Sequence, residues 1–218
     1  RTSDNYRLLI GDYIRSKLKI KKLKIRYVKS HHYAHALTAF WPSMLDEAAV
    51  LVIDGLGSEQ QTHSVYYMNQ NGKFKHIFEQ KGSGIGELYT LITKSLGFEK
   101  GEEGKTMGLA PYGKKVSRKN INIPSLKGDY KGFTIDYSRI LDRKPSSKLK
   151  ISIKKLKNKK DLYKPYFSKL AFNLQRETEK CIVHLSKESL KKTGSKNLCF
   201  AGGVALNCVA NNHVQNLK

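Results

Sequence analysis

"EAAVLVIDGLGSE", residues 47–59, decides the fold class. Its apolar run from Ala48 to Ile53 is short, rich in β-forming residues and closed by Asp54-Gly55. Such a run reads as a buried strand ending in a tight turn. Near the other end, "KNLCFAGGVALNCVANN" (196–212) repeats the arrangement as strand, Gly202-Gly203 turn and helix start. Between them, "THSVYYMNQNGKFKHIFEQ" (62–80) alternates around Asn71-Gly72, a strong hairpin signal. Helical spacing marks residues 4–22, where Tyr6, Leu9, Ile10, Tyr13, Ile14 and Leu18 form a stripe above a basic end. It also marks about a dozen residues of "GIGELYTLITKSLGF" (84–98) and a long run from roughly 163 to 193 through Phe167, Leu170, Leu174, Ile182 and Leu185. "KIRYVKS" (24–30) is a short strand candidate. Strands mixed with helices indicate an α/β protein. In open α/β sheets ligands lie beyond the carboxyl ends of the strands, so the two glycine turns are where a site is expected.

Composition narrows the classes. At 218 residues, with 39% hydrophobic residues, the chain is long enough for a substantial core. No run approaches the about 18 apolar residues of a membrane span. The opening "RTSDNYRLLIGDY" has no initiator Met and no signal-peptide pattern, and the chain stops at "NNHVQNLK" just after a glycine turn. A piece of a larger protein, incomplete at both ends, is the expectation. Cys181, Cys199 and Cys208 form no CxxC pair and suit reduced thiols of a cytoplasmic protein. The formal charge of +23 invites a nucleic-acid reading, but 33 of the 41 basic residues are Lys. The densest stretch, "DRKPSSKLKISIKKLKNKKD" (142–161), lacks the Arg and aromatic mixture of base-reading surfaces. It reads as part of a solvated Lys-rich insert at about 114–160, in which "GFTIDYSRIL" (132–141) is the one ordered piece; an anionic-partner surface is the other reading.

"SHHYAHALTAF" (30–40) holds His31, His32 and His35. Ser30 is a natural N-cap for a helix starting at His31. On that helix Tyr33, Ala36, Leu37 and Phe40 form the apolar stripe, His31 and His35 share the opposite face, and His32 lies on the flank. Two histidines four apart on one face can converge on a metal, though two solvent-facing histidines satisfy the same spacing. Asp54 is the natural third ligand, since an unpaired carboxylate beyond a buried strand is expensive; an Asx-turn residue is the plainer role. Imidazoles with a carboxylate suit iron, manganese or zinc. The glycine turns at Gly55 and at Gly202-Gly203 would let a phosphate approach the backbone and, facing each other, hold a nucleotide; a tight strand–helix turn needs the same glycines. "GEEGKTMGLAPYG" (101–113) fails the Walker spacing and is expected to be a loop, either mobile with Lys105 aimed at an anion or plain surface.

Taken in order, "HHYAHALTAF", "VLVIDGLGSE", "GEEGKTMGLAPYG" and "CFAGGVALNCVANN" closely resemble the O-carbamoyltransferases of the nodulation-factor and antibiotic-tailoring type. The resemblance covers about residues 28–113 and 163–213 and implies a large domain of the ribonuclease H-like, actin-like ATPase superfamily. It implies that ATP and carbamoyl phosphate yield a carbamoyl-adenylate in a further, C-terminal domain, absent here. The large domain then transfers the carbamoyl group to a hydroxyl of a small molecule or sugar. It further implies that His31, His35 and Asp54 hold a divalent metal, iron in this family, with another aspartate ligand beyond Lys218. Gly55, Gly202, Gly203 and Asn207 fall near the nucleotide, and His32, beside the metal pair, is the general-base candidate. A transferase of the related tRNA threonylcarbamoyladenosine synthase type is the alternative, but the Asp-Gly turn and "KTMGLAPYG" favour the first. A non-enzymatic, basic nucleic-acid-binding protein would show salt-sensitive duplex binding and no metal.

Overall fold

A computed structural model describes residues 2–20, 22, 28, 30–116, 121–142 and 148–217. The strand candidate at 24–30 lies mostly outside them. The chain runs α1 (Thr2–Leu18), α2 (His31–Phe40), β1 (Glu47–Ile53), β2 (Gln61–Asn69), β3 (Phe74–Lys81), α3 (Ile85–Ser95) and α4 (Glu103–Lys114). Then follow β4 (Asp129–Lys131), β5 (Thr134–Asp136), α5 (Pro165–Thr193), β6 (Leu198–Ala201) and α6 (Cys208–Gln215). The main sheet has the order β3-β2-β1-β6. β1 pairs antiparallel with β2 and parallel with β6, in the register Val50 opposite Cys199 and Val52 opposite Ala201. The hairpin expected around Asn71-Gly72 joins β2 to β3, with Gly72 at φ 79°.

Alternation along β1 divides the core. Ala48, Val50 and Val52 face one way and pack with Tyr66, Met68, Cys199, Ala201 and the Ala36–Phe40 side of α2. Leu51, Ile53 and Val65 face the other way, onto Ile85, Leu88 and Ile92 of α3 and Leu170, Leu174 and Ile182 of α5. The sheet is therefore covered on both sides, which is why β1 reads as a continuous apolar run. Because β1 and β6 are parallel neighbours, their carboxyl ends lie side by side.

Several expectations are corrected. Residues 101–113 are not a loop: 103–114 form α4, despite Gly104, Gly108, Pro111 and Gly113. Tertiary packing overrides the weak helix propensity. A Cβ on Gly113 would sit 2.1 Å from the Ser168 carbonyl oxygen of α5, so the glycine is what lets the two helices meet. Lys105 lies on α4 and pairs with Glu102, three residues before it. The 114–160 region is not merely solvated, since Leu126, Ile135, Tyr137, Ile140 and Leu141 join the main core. The Glu177 carboxylate of α5 fastens it there, its Oε1 accepting from Gly128 N at 2.9 Å and from the hydroxyls of Tyr130 at 2.6 Å and Tyr137 at 3.3 Å. α1 is a helix as expected, but Leu9, Ile10, Tyr13 and Leu18 of its stripe are exposed.

Candidate metal centre

Three chain segments meet at the carboxyl ends of β1 and β6. Ser30 caps α2 as its sequence suggests, its Oγ accepting from Tyr33 N at 3.3 Å. The cap fixes His31 as the first helical residue and puts His35 one turn further on. Their Nε2 atoms lie 3.1 Å apart. Asp54, directly after β1, brings Oδ2 to 2.8 Å from His31 Nε2 and 3.4 Å from His35 Nε2. Among the described residues this is the one trio of histidine, cysteine and acidic side chains whose donor atoms gather closely enough to hold a metal ion.

The donors fit such an ion. Ligands at about 2.1 Å from a first-row metal and at right angles to each other stand about 3 Å apart, which these three separations bracket. Two imidazoles and one carboxylate form the facial set of non-haem iron sites, with the remaining positions open. Exposure of the side chains, 42% for His31, 34% for His35 and 19% for Asp54, leaves that open side towards solvent.

Asp54 uses its other oxygen inward. Oδ1 accepts from Gly55 N at 2.8 Å and from Gly203 N at 3.3 Å. Burial alone would raise the carboxyl pKa, but these backbone donors and His31 outweigh it and hold the group below the usual carboxylate range. The carboxylate is therefore ionised at physiological pH despite its burial.

The expected nucleotide residues divide. Gly202 is required where it stands: its φ is 92°, and a Cβ would come within 2.2 Å of the Ile53 carbonyl oxygen. Gly203 and Gly55 both spend their N–H groups on Asp54. The helix does not begin directly at the glycine turn, because a 3₁₀ turn, Gly203–Leu206, intervenes. Asn207 is turned inward. It caps α6 by accepting from Ala210 N at 3.1 Å and forms a reciprocal amide pair with Gln175, both bonds at 3.0 Å.

His32, the general-base candidate, is turned into the core. It is fully buried and shares the inward face with Ala36 and Phe40, whereas the spacing puts it on the flank. Its Nδ1 is 2.8 Å from Ser64 Oγ of β2. Burial lowers its pKa to about 4, with nearby charges acting in both directions, so the ring is neutral at physiological pH. Its Nε2 has no hydrogen-bond partner and points towards Gly57, where an added Cβ would lie 3.2 Å away. Ser64 is the residue that sequence reasoning missed; its polar side chain on a buried strand was the available signal.

Comparison with known proteins gives first a class, the carbamoyltransferases. More narrowly, the chain belongs to the family described as Carbamoyltransferase N-terminus, whose model matches residues 4–217. It is 35% identical over 214 residues to the uncharacterized protein sll1178 of Synechocystis, covering 88% of this chain and 32% of that relative. It is 31% identical over 183 residues to nodulation protein NolNO of Sinorhizobium fredii, 84% of this chain and 26% of the relative. Nodulation protein NolO of Bradyrhizobium diazoefficiens is 27% identical over 183 residues, with 84% and 32% covered. The chain therefore spans about a third or less of the length of these relatives. No helix among the described residues is long and apolar enough to cross a membrane.

Proposed function

We propose that this chain is the transfer-site portion of an O-carbamoyltransferase, passing a carbamoyl group from carbamoyl-adenylate to a hydroxyl of a small molecule or sugar. The observation that carries this reading is the convergence of His31 Nε2, His35 Nε2 and Asp54 Oδ2, at 2.8, 3.1 and 3.4 Å from one another, beside the paired ends of β1 and β6. The sheet supports a ribonuclease H-like, actin-like ATPase fold: three antiparallel strands followed, after helices, by a strand parallel to the first. Nucleotide binding beside Gly55 and Gly202-Gly203 is part of the proposal, as is the making of the adenylate from ATP and carbamoyl phosphate in a further domain.

His31, His35 and Asp54 would hold a divalent ion, iron by family resemblance. When bound, the ion supplies Lewis-acid polarisation of the carbamoyl oxygen and a template for donor and acceptor. The protein's own contribution is geometric. The capped start of α2 sets both imidazoles on one face, and the carboxylate, already ionised and held from behind, needs no reorganisation. His32, neutral and buried beneath, braces α2 against β2 through Ser64. On the solvent-facing side of the trio the acceptor hydroxyl oxygen would bond to the carbamoyl carbon as that carbon's bond to AMP breaks, AMP being the leaving group.

The test is metal binding by the purified chain and by His31→Ala, His35→Ala and Asp54→Ala. Anaerobic titration with Fe²⁺, and with Mn²⁺ as a stable substitute, is expected to give one ion per wild-type chain and none in the variants. Failure of the wild type to bind either ion, or equal binding by all four proteins, would refute the site. In the complete protein, carbamoyl-phosphate-dependent release of pyrophosphate from ATP, assayed across hydroxylated acceptors, tests the reaction.

A further inference from the structure

The metal ligand Asp54 is supported by a strand that contributes no ligand of its own. Oδ2 faces the two histidines while Oδ1 is held by two backbone N–H groups, one from Gly55 and one from Gly203. Gly203 stands 149 residues away in the chain and reaches the carboxylate only because β6 pairs with β1 in the register that sets Ala201 opposite Val52. Its position is tightly constrained: Gly202 rests against the Ile53 carbonyl, and a Cβ on Gly203 would lie 2.9 Å from Asp54 Oδ1. A carboxylate rotates freely unless both oxygens are engaged, and groups behind a ligand commonly decide how well it binds. The Gly203 N–H is thus committed to Asp54 and is not one of the groups this turn would offer a nucleotide beside it.

We propose that Gly203 is a positioning residue for the metal centre: its N–H, delivered by the β6 turn, orients the Asp54 carboxylate so that Oδ2 is presented to the ion. The glycine is needed because any side chain there would push against the oxygen it must hold. The proposal rests on the metal-site reading above and assigns the turn a task distinct from binding a nucleotide.

The experiment titrates the apo chain with Zn²⁺ and with Mn²⁺ for the wild type, Gly203→Ala, Gly108→Ala and Asp54→Ala. Gly203→Ala is expected to weaken binding about tenfold or more, the scale seen when a group behind a ligand is disturbed. Gly108→Ala, whose new methyl meets nothing within 4 Å, is expected to match the wild type. Wild-type affinity in Gly203→Ala alongside lost binding in Asp54→Ala overturns the positioning role and leaves the metal site standing. Wild-type affinity in Asp54→Ala overturns both. Because Gly203→Ala could disturb folding, a second measurement uses the unaltered protein labelled with ¹⁵N-glycine. Saturating Zn²⁺ is expected to shift the Gly203 amide resonance with the same concentration dependence as metal uptake, while Gly108 stays fixed. A Gly203 signal that does not move while zinc binds stoichiometrically also overturns the proposal.

Discussion

Acid should weaken this fold through His63 in a way that a single substitution can isolate. His63 lies on β2, buried, with Nε2 donating to the Phe133 carbonyl at 2.8 Å and its ring stacked on Phe78 at 5.7 Å. Burial lowers its pKa from 6.5 to about 4, the Phe133 hydrogen bond opposing only in part. The folded-state pKa lies below the unfolded one, so between pH 6.5 and 4 the unfolded chain binds a proton that the folded chain refuses. Stability therefore falls as pH drops through this window, and the loss levels off below about pH 4. With these two values the linkage amounts to about 2 kcal/mol between pH 7.5 and pH 5, and about 3 kcal/mol by pH 4. His63→Gln keeps an N–H donor for Phe133 and removes the titration. Urea unfolding of both proteins across pH 4.5–7.5 gives the comparison. The difference between their free energies should shrink in favour of the variant by about 2 kcal/mol on going to pH 5. Parallel curves would show that His63 is protonated in the folded state and that its burial does not act as argued.

Other expectations concern packing. Gly113→Ala should cost about 1–3 kcal/mol by forcing α4 away from α5, whereas Gly108→Ala on the same helix should be neutral or stabilise by up to about 1 kcal/mol; equal shifts in urea midpoint would refute the close approach. A double-mutant cycle with His32→Ala and Ser64→Ala should return a coupling of about 1 kcal/mol, and an additive result would mean that the two side chains do not brace each other. Polar replacements of Leu9 and Tyr13 in α1 should change stability by no more than about 0.5 kcal/mol, because both side chains are exposed; a large loss in thermal unfolding would mean that this stripe is covered.

What could be read from the sequence was whatever local periodicity and turn chemistry control. The apolar run before Asp54, the Asn71-Gly72 hairpin and the capped α2 helix each follow from residues close in the chain, and the structure keeps them. α4 was illegible for the opposite reason. Its glycines and proline argue against a helix locally, and only contact with α5, 56 residues on at the Gly113–Lys169 hydrogen bond, explains why they are tolerated. His32 shows the same limit at one position. A helical wheel ranks residues by polarity and put it on the flank, but a serine from β2 satisfies one of its nitrogens and makes the buried position affordable. Asn207, expected beside a nucleotide, pairs its amide with Gln175, 32 residues away, a partner that no local pattern indicates.

The candidate site carries this reasoning furthest. The pairing of His31 with His35 is a property of one helical turn and could be read directly, whereas their meeting with Asp54 depends on where α2 lies over the sheet. Helix α2 packs through Ala36 and Phe40 against Val50 and Val52, which fixes it near the carboxyl end of β1. Parallel pairing then carries Gly203 to the far side of the same carboxylate. One aspartate thereby receives a helix on one oxygen and a strand turn on the other, and its ionised state follows from those donors despite its burial. A change in β6 register by one residue would leave His31, His35 and Asp54 in place yet remove the Gly203 donor. For that reason the geometry of the proposed metal centre depends on β6 as much as on the residues that would touch the ion.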